Sequence, residues 1–198
     1  MYTLSLNRFW KFRLDPKNIG LSEDWHTNTQ ALETGSIDIN VPSCWEEIEQ
    51  DYEGVAWYST QVQIDADKAG QICRIVFQAS NYRTGIWING KAAGSHDGGY
   101  TPFDFEIHDF LNYGAYNQIT VRIVSPIITK DIRVDELGPN DMPHWRGGLT
   151  AGIWQSATLE FNQSAWIKHT FDKPKIKDST FELDLELRCN EATSQAAI

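Results

Sequence analysis

The strictest constraint in this sequence is a period of two. Ser36-Ile37-Asp38-Ile39-Asn40-Val41 alternates polar and apolar residues and breaks at Pro42. Tyr58, Thr60, Val62 and Ile64 alternate with Ser59, Gln61, Gln63 and Asp65. Cys73, Ile75, Phe77 and Ala79 form another set, as do Phe103, Phe105 and Ile107, then Ile119, Val121 and Ile123, and finally Ile153, Ala157, Leu159 and Phe161. Successive side chains of a strand point to opposite faces, so each set predicts a strand with one face toward a core. Ile86-Trp87-Ile88 runs into Asn89-Gly90, a pair suited to a type I′ hairpin because both turn residues need positive φ. Many short strands, turn signals between them and no long amphipathic helix predict an all-β antiparallel sandwich or jelly roll.

Helical signal is sparse. Trp45-Glu46-Glu47-Ile48 after Pro42-Ser43 reads as one capped turn, and His108–Leu111 before Gly114 as another. Residues 125–152 hold Pro126, Gly138, Pro139, Pro143, Gly147, Gly148 and Gly152 and read as a long irregular segment. A loop of that length in a compact domain is usually functional or disordered. A boundary is expected near residue 162, giving units 1–162 and 163–198. Past it, Phe181, Leu183, Leu185, Leu187 and Cys189 alternate with Glu182, Asp184, Glu186 and Arg188, so one face wants burial. Two strands are marginal alone, so this piece reads as the start of a second sandwich.

The chain has 198 residues and a formal net charge of −10, with 17 Lys+Arg against 27 Asp+Glu. No basic cluster is present, which argues against nucleic acid or an anionic membrane as partner. No stretch approaches membrane-spanning length and no signal peptide is recognisable, so the compartment (periplasmic, secreted or cytoplasmic) stays open. Cys73 and Cys189 lie in alternating runs and read as buried thiols; Cys44 completes an odd count that argues against a disulfide framework. Eight Trp, nine Phe and seven Tyr make an unusual aromatic content, most of which core packing accounts for. Such rings fill cores, and they also stack on the apolar faces of sugars.

Several segments, in order and in register from about residue 6 to 161, resemble family 2 glycoside hydrolases, the family of β-galactosidases, β-glucuronidases and β-mannosidases. Leu6-Asn7-Arg8-Phe9-Trp10-Lys11-Phe12-Arg13-Leu14-Asp15 is similar to the family's first strand. Val41-Pro42-Ser43-Cys44-Trp45 and Gly54-Val55-Ala56-Trp57-Tyr58 resemble its next two motifs. Ile86–Gly90 with Gly94, His96 and Gly98-Gly99-Tyr100-Thr101-Pro102-Phe103 resembles a fourth, and Gly152-Ile153-Trp154 the approach to the last strand. Each motif alone is weak, but the ordered set is specific.

The resemblance implies a galactose-binding-like jelly roll, followed in the parent chain by an immunoglobulin-like sandwich and a catalytic (β/α)₈ barrel. Residues 165–198 resemble the first strands of that second sandwich. The family's catalytic glutamates sit on the barrel, so the acid and nucleophile of a retaining glycosidase are not expected here. The chain is expected to be a non-catalytic module, with the barrel and the immunoglobulin-like domain as partners and a carbohydrate as substrate. No cofactor or metal is expected, and a homo-oligomer stays open, since an unfinished second sandwich leaves strand edges that can pair between chains.

In family members the loop before Gly-Ile-Trp can reach across to the barrel. Asp141 is the best positional match for a sugar-contacting carboxylate. His144, Trp145 and Arg146 would add a donor, a stacking ring and a charge. The alternative is a loop that merely packs on a neighbouring domain. Pro143-His144-Trp145-Arg146-Gly147-Gly148 departs from the β-galactosidase form, which leaves the sugar undefined. His96–Tyr100 reads as a glycine-supported turn with Tyr100 packed, or else as a sugar or ion site. Glu46, Glu47, Glu49 and Asp51 read as a solvated turn rather than an acid/base pair. A different function class stays open: a standalone lectin-like carbohydrate-binding module of the same fold.

Overall fold

The structure is a computed structural model and describes residues 1–143, 150–162 and 165–189. Its strands are β1 (Tyr2–Ser5), β2 (Phe9–Asp15), β3 (Ile37–Asn40), β4 (Val55–Ile64), β5 (Ile72–Phe77), β6 (Arg83–Ile88), β7 (Lys91–Asp97), β8 (Phe103–Glu106), β9 (Ala115–Val124), β10 (Ala157–Asn162), β11 (Ala165–Lys175) and β12 (Thr180–Cys189). They form a four-stranded sheet β1-β10-β5-β8, a six-stranded sheet β3-β2-β4-β9-β6-β7 and a two-stranded sheet β11-β12. All pairings are antiparallel.

The two larger sheets are the layers of the sandwich. Between them lie Trp10, Phe12, Tyr58, Ile75, Phe77, Ile86, Val121, Ile123, Leu159 and Phe161, all essentially inaccessible. Burying one such side chain is worth about 1.5–3 kcal/mol. The inward sets from β4, β5, β9 and β10 are those the alternation picks out. Asn89 and Gly90 have φ of 51° and 78°, so the β6–β7 turn takes the left-handed geometry that Asn-Gly suits. The turns at Trp45–Glu47 and His108–Phe110 are present as three-ten turns, and the first has no side-chain cap.

Strict alternation fails on the outer face of the six-stranded sheet. There Val55, Trp57 and Val124 are buried too, in a second core with Trp25, Leu32, Ile127, Val134 and Met142. Ser59 is also buried, with its hydroxyl 2.6 Å from Gln118 Nε2, whereas Gln61 and Gln63 further along β4 are exposed. The covering pieces are distant in sequence. Leu32 comes from the short helix α1 (Thr29–Glu33), capped by the Asn28 side chain, and Ile127, Val134 and Met142 come from the irregular segment after β9.

The β11–β12 hairpin corrects two expectations. Cys73 is buried, but Cys189 is exposed. The apolar face of β12 is not covered among the described residues: Phe181, Leu183 and Leu187 are 70%, 41% and 40% exposed. A register shift between Ile167 and His169 also divides β11. Before it, Ile167 lies opposite Leu187; beyond it, Thr170, Asp172 and Pro174 oppose Leu185, Leu183 and Phe181, and Phe171 moves to the acidic face opposite Asp184. An extra residue in one strand flips every later side chain. No helix among the described residues is long and apolar enough to cross a membrane.

Candidate functional site

The segment between β9 and β10 is the obvious place for a site, and its first half is firmly held. Ser125 donates from its N–H to the Gly54 carbonyl and accepts from the Gly54 N–H, each at 2.9 Å. Glu53, buried at the end of the loop into β4, then receives Ile128 N–H at 2.9 Å, Lys130 N–H at 3.1 Å, and Thr129 through both N–H and hydroxyl. Burial acts to raise the Glu53 pKa, but these hydrogen bonds outweigh it and hold the carboxyl below its ordinary range. Further on, Arg122 Nη1 meets Asp135 at 2.6 Å, and Arg83 Nη1 donates to the Asp135 carbonyl at 3.0 Å. Ile127, Val134 and Met142 sink into the second core. The segment up to Met142 is therefore a fixed pedestal on the outer face.

Asp141 sits on this pedestal with its side chain 44% exposed. Its Oδ2 accepts the Gly138 N–H at 2.8 Å and lies 3.7 Å from Arg133 Nη1, while its own N–H donates to the Gly138 carbonyl. Part of this carboxylate thus closes its own turn. His144, Trp145 and Arg146 lie outside the described residues, so the structure places only Asp141 of the four expected site residues.

The far foot of the loop is threaded between two other segments. On one side Ser43 N–H donates to the Ile153 carbonyl at 3.0 Å, and Trp45 N–H to the Ala151 carbonyl at 3.1 Å. On the other, Asn81 exchanges backbone hydrogen bonds with Gly152, and its side-chain amide donates to the Thr150 carbonyl. Gly152 has φ of 106°, and a Cβ there would lie 2.5 Å from the Tyr58 hydroxyl, so this foot requires glycine.

Glu46 departs from the solvated turn expected of it. Glu47, Glu49 and Asp51 are exposed, but Glu46 is half-buried. Its Oε1 accepts the Ala151 N–H at 2.8 Å, and its Oε2 is buried with no hydrogen-bond partner among the described residues. Burial, helped by Glu47, raises its pKa against the lowering effect of backbone hydrogen bonds.

The His96–Tyr100 turn meets the same foot. Asp97 is engaged by Arg83 at 2.6 and 2.8 Å, and His96 stacks on Phe103 with centroids 4.1 Å apart. Burial lowers the His96 pKa, opposed by Asp97. A Cβ on Gly99 would lie 2.5 Å from Asn81 Oδ1. The Gly99 carbonyl accepts the Trp154 indole N–H at 2.8 Å, and Trp154 meets the Tyr100 ring edge-on at 5.9 Å. Tyr100 nevertheless stays 52% exposed, so it packs less than the sequence suggests. Among the described residues no group of three or more His, Cys, Asp or Glu is placed to hold a metal ion.

The model of the family described as "Glycosyl hydrolases family 2, sugar binding domain" matches residues 3–161. This chain belongs to that family. The family 2 domain is similar to a β-galactosidase of Thermoanaerobacter pseudethanolicus, 28% identical over 143 residues that cover 69% of this chain and 18% of the relative. It is also similar to a β-glucuronidase of Paenibacillus borealis, 29% identical over 121 residues that cover 59% of this chain and 20% of the relative. The chain thus spans about a fifth of the length of these curated relatives. The β-glucuronidase of Ruminococcus gnavus superposes with a TM-score of 0.76 at 20% identity, over 96% of this chain and 34% of that one. A β-glucuronidase of an uncultured Clostridium sp. superposes with a TM-score of 0.77 at 22% identity, over 96% and 34%. At such identities the likeness is one of fold. That fold is the antiparallel sandwich of the N-terminal domain of family 2 glycosidases.

The segments that resemble family motifs also hold the loop's far foot, because Ser43 and Trp45 bond to Ile153 and Ala151, and Gly99 accepts the Trp154 indole N–H. Glu46 and Asn81 carried no signal of this role. Their partners lie 105 and 69 residues away along the chain.

Proposed function

We propose that this family 2 domain works as a non-catalytic module of a longer glycosidase of the β-galactosidase or β-glucuronidase kind. The observation that carries the reading is the match to the family's sugar-binding domain, in a chain that spans about a fifth of its glycosidase relatives. The rest of such a parent supplies the acid and the nucleophile. This domain docks on the barrel and the immunoglobulin-like domain and contributes the 138–152 loop to the rim of the substrate pocket. Residues 1–162 form the sandwich, and 163–198 begin the second one. In support of that division, the β11–β12 sheet pairs with no strand of the two larger sheets among the described residues.

At the rim, Asp141 takes a sugar hydroxyl. Its Oδ2 already serves Gly138, so Oδ1 is the oxygen that meets substrate. His144, Trp145 and Arg146 supply a further donor, a ring for stacking on the sugar and a positive charge. A rim offers only a few of the polar contacts a sugar pocket needs, so the isolated domain holds monosaccharides weakly.

The test is to assay the chain and its parent enzyme on aryl β-glucuronides and β-galactosides. The parent hydrolyses one of them and the chain alone hydrolyses neither. Asp141→Ala in the parent raises KM about tenfold, the loss of one hydrogen bond to a charged group. Hydrolysis by the chain alone, or an unchanged KM in the variant, would overturn the reading. A saturable change in the chain's own tryptophan fluorescence at sub-millimolar sugar would favour a lectin-like module instead.

A further inference from the structure

We propose that Glu46 is a positioning residue, a clamp whose carboxylate fixes Ala151 and thereby sets the C-terminal foot of the 138–152 loop. Its catalytic consequence rests on the pocket-rim reading above; the clamp itself does not.

The geometry is specific. Residues 150–153 are held mostly by backbone and amide hydrogen bonds, from Ser43 and Trp45 on one side and Asn81 on the other. The Ala151 N–H faces a different partner, Glu46 Oε1 at 2.8 Å. Glu46 is ionisable, half-buried, and keeps Oε2 buried without a partner among the described residues. An unsatisfied buried carboxylate oxygen costs free energy. The acidic neighbours Glu47, Glu49 and Asp51 avoid that cost by facing water. A group kept in a costly environment is a candidate for a role beyond local stability. Here the role follows from what the group touches. Met142 anchors the loop in the second core at one foot, and Glu46 anchors Ala151 at the other, so the two feet bracket positions 144–149. Gly152, with no room for a Cβ against Tyr58, lets the backbone next to the clamp lie close to the Tyr58 hydroxyl.

The experiment uses the parent enzyme with Glu46→Ala, Glu46→Gln and, for comparison, Asp141→Ala. Two quantities are read: amide hydrogen exchange at Ala151, and KM separately from kcat. Glutamine keeps an acceptor oxygen for the Ala151 N–H, so Glu46→Gln should stay within about twofold of wild type in both. Glu46→Ala should speed exchange at Ala151 by about tenfold or more. It should also raise KM about threefold to tenfold with kcat within about twofold, the signature of a displaced binding contact. Thermal melts of all three variants show whether each folds, and Glu46→Gln keeps the test valid if Glu46→Ala does not.

Unchanged exchange at Ala151 in a folded Glu46→Ala enzyme would overturn the clamp. So would a glutamine variant as impaired as alanine. Faster exchange with KM raised by Asp141→Ala but not by Glu46→Ala would overturn the positioning role while the pocket-rim reading stands. Faster exchange with KM unchanged in both would overturn both, leaving a structural contact.

Discussion

The Glu53 carboxylate grips Thr129 twice, through its N–H at 3.0 Å and its hydroxyl at 2.7 Å. With the N–H groups of Ile128 and Lys130 added, one buried side chain orders the start of the segment that carries Asp141. Glu53→Ala leaves these donors without their acceptor. It should lower stability by about 2–3 kcal/mol in urea unfolding, typical of losing a buried charged acceptor. A loss under about 0.5 kcal/mol, the range of an ordinary surface change, would mean that water replaces the carboxylate freely.

The same residue sets a pH dependence. Folding lowers the Glu53 pKa, so its stabilising contribution is complete above the ordinary carboxylate value and is lost as pH falls through the lower folded value. Urea melts of wild type and Glu53→Gln should therefore differ most near neutral pH and converge under acid conditions. A gap that widened with acid would contradict the hydrogen-bonded carboxylate.

Gly20 lies against the second core. A Cβ there would fall 2.4 Å from Trp57 Nε1, whose N–H donates to Asp15 at 3.1 Å. Gly20→Ala must push the indole out of place, so it should cost about 1–3 kcal/mol, as overpacking generally does. The Trp57 environment should change with it. Thermal melts with near-ultraviolet circular dichroism check both; an unaltered spectrum at equal stability would refute the close approach.

The exposed face of the β11–β12 hairpin should make the isolated chain self-associate. Ile167 and Leu187 face each other across the strands and are 57% and 40% exposed, and Phe181, opposite Pro174 at the other end of β12, is 70% exposed. Exposed apolar strands tend to find partners. Sedimentation velocity should show larger species for the chain than for a version ending at Asn162, and Ile167→Lys with Phe181→Lys should reduce them. Equal monomeric behaviour of all three would count against the hairpin as a contact.

By itself the sequence determined what local geometry dictates. The period of two placed the inward sets of β4, β5, β9 and β10, and Asn89-Gly90 placed a turn, because side-chain direction and allowed φ depend on neighbouring residues alone. The family resemblance was equally legible, since its motifs are short and ordered. Only the tertiary structure decided the rest. Ser59 reads with Gln61 and Gln63 as the polar face of β4, yet it is buried, and Trp57 on that face joins a second core with Leu32 of α1 and the segment after β9. Glu46 reads like Glu47 until Ala151 is brought beside it. Asp141 reads as a free carboxylate until Gly138 takes one of its oxygens. In the first two cases the deciding partner lies far along the chain; in the third it is three residues away, across a turn whose shape depends on what the pedestal packs against. Burial and hydrogen bonding are properties of such contacts, and periodicity carries no information about which distant segment will supply them.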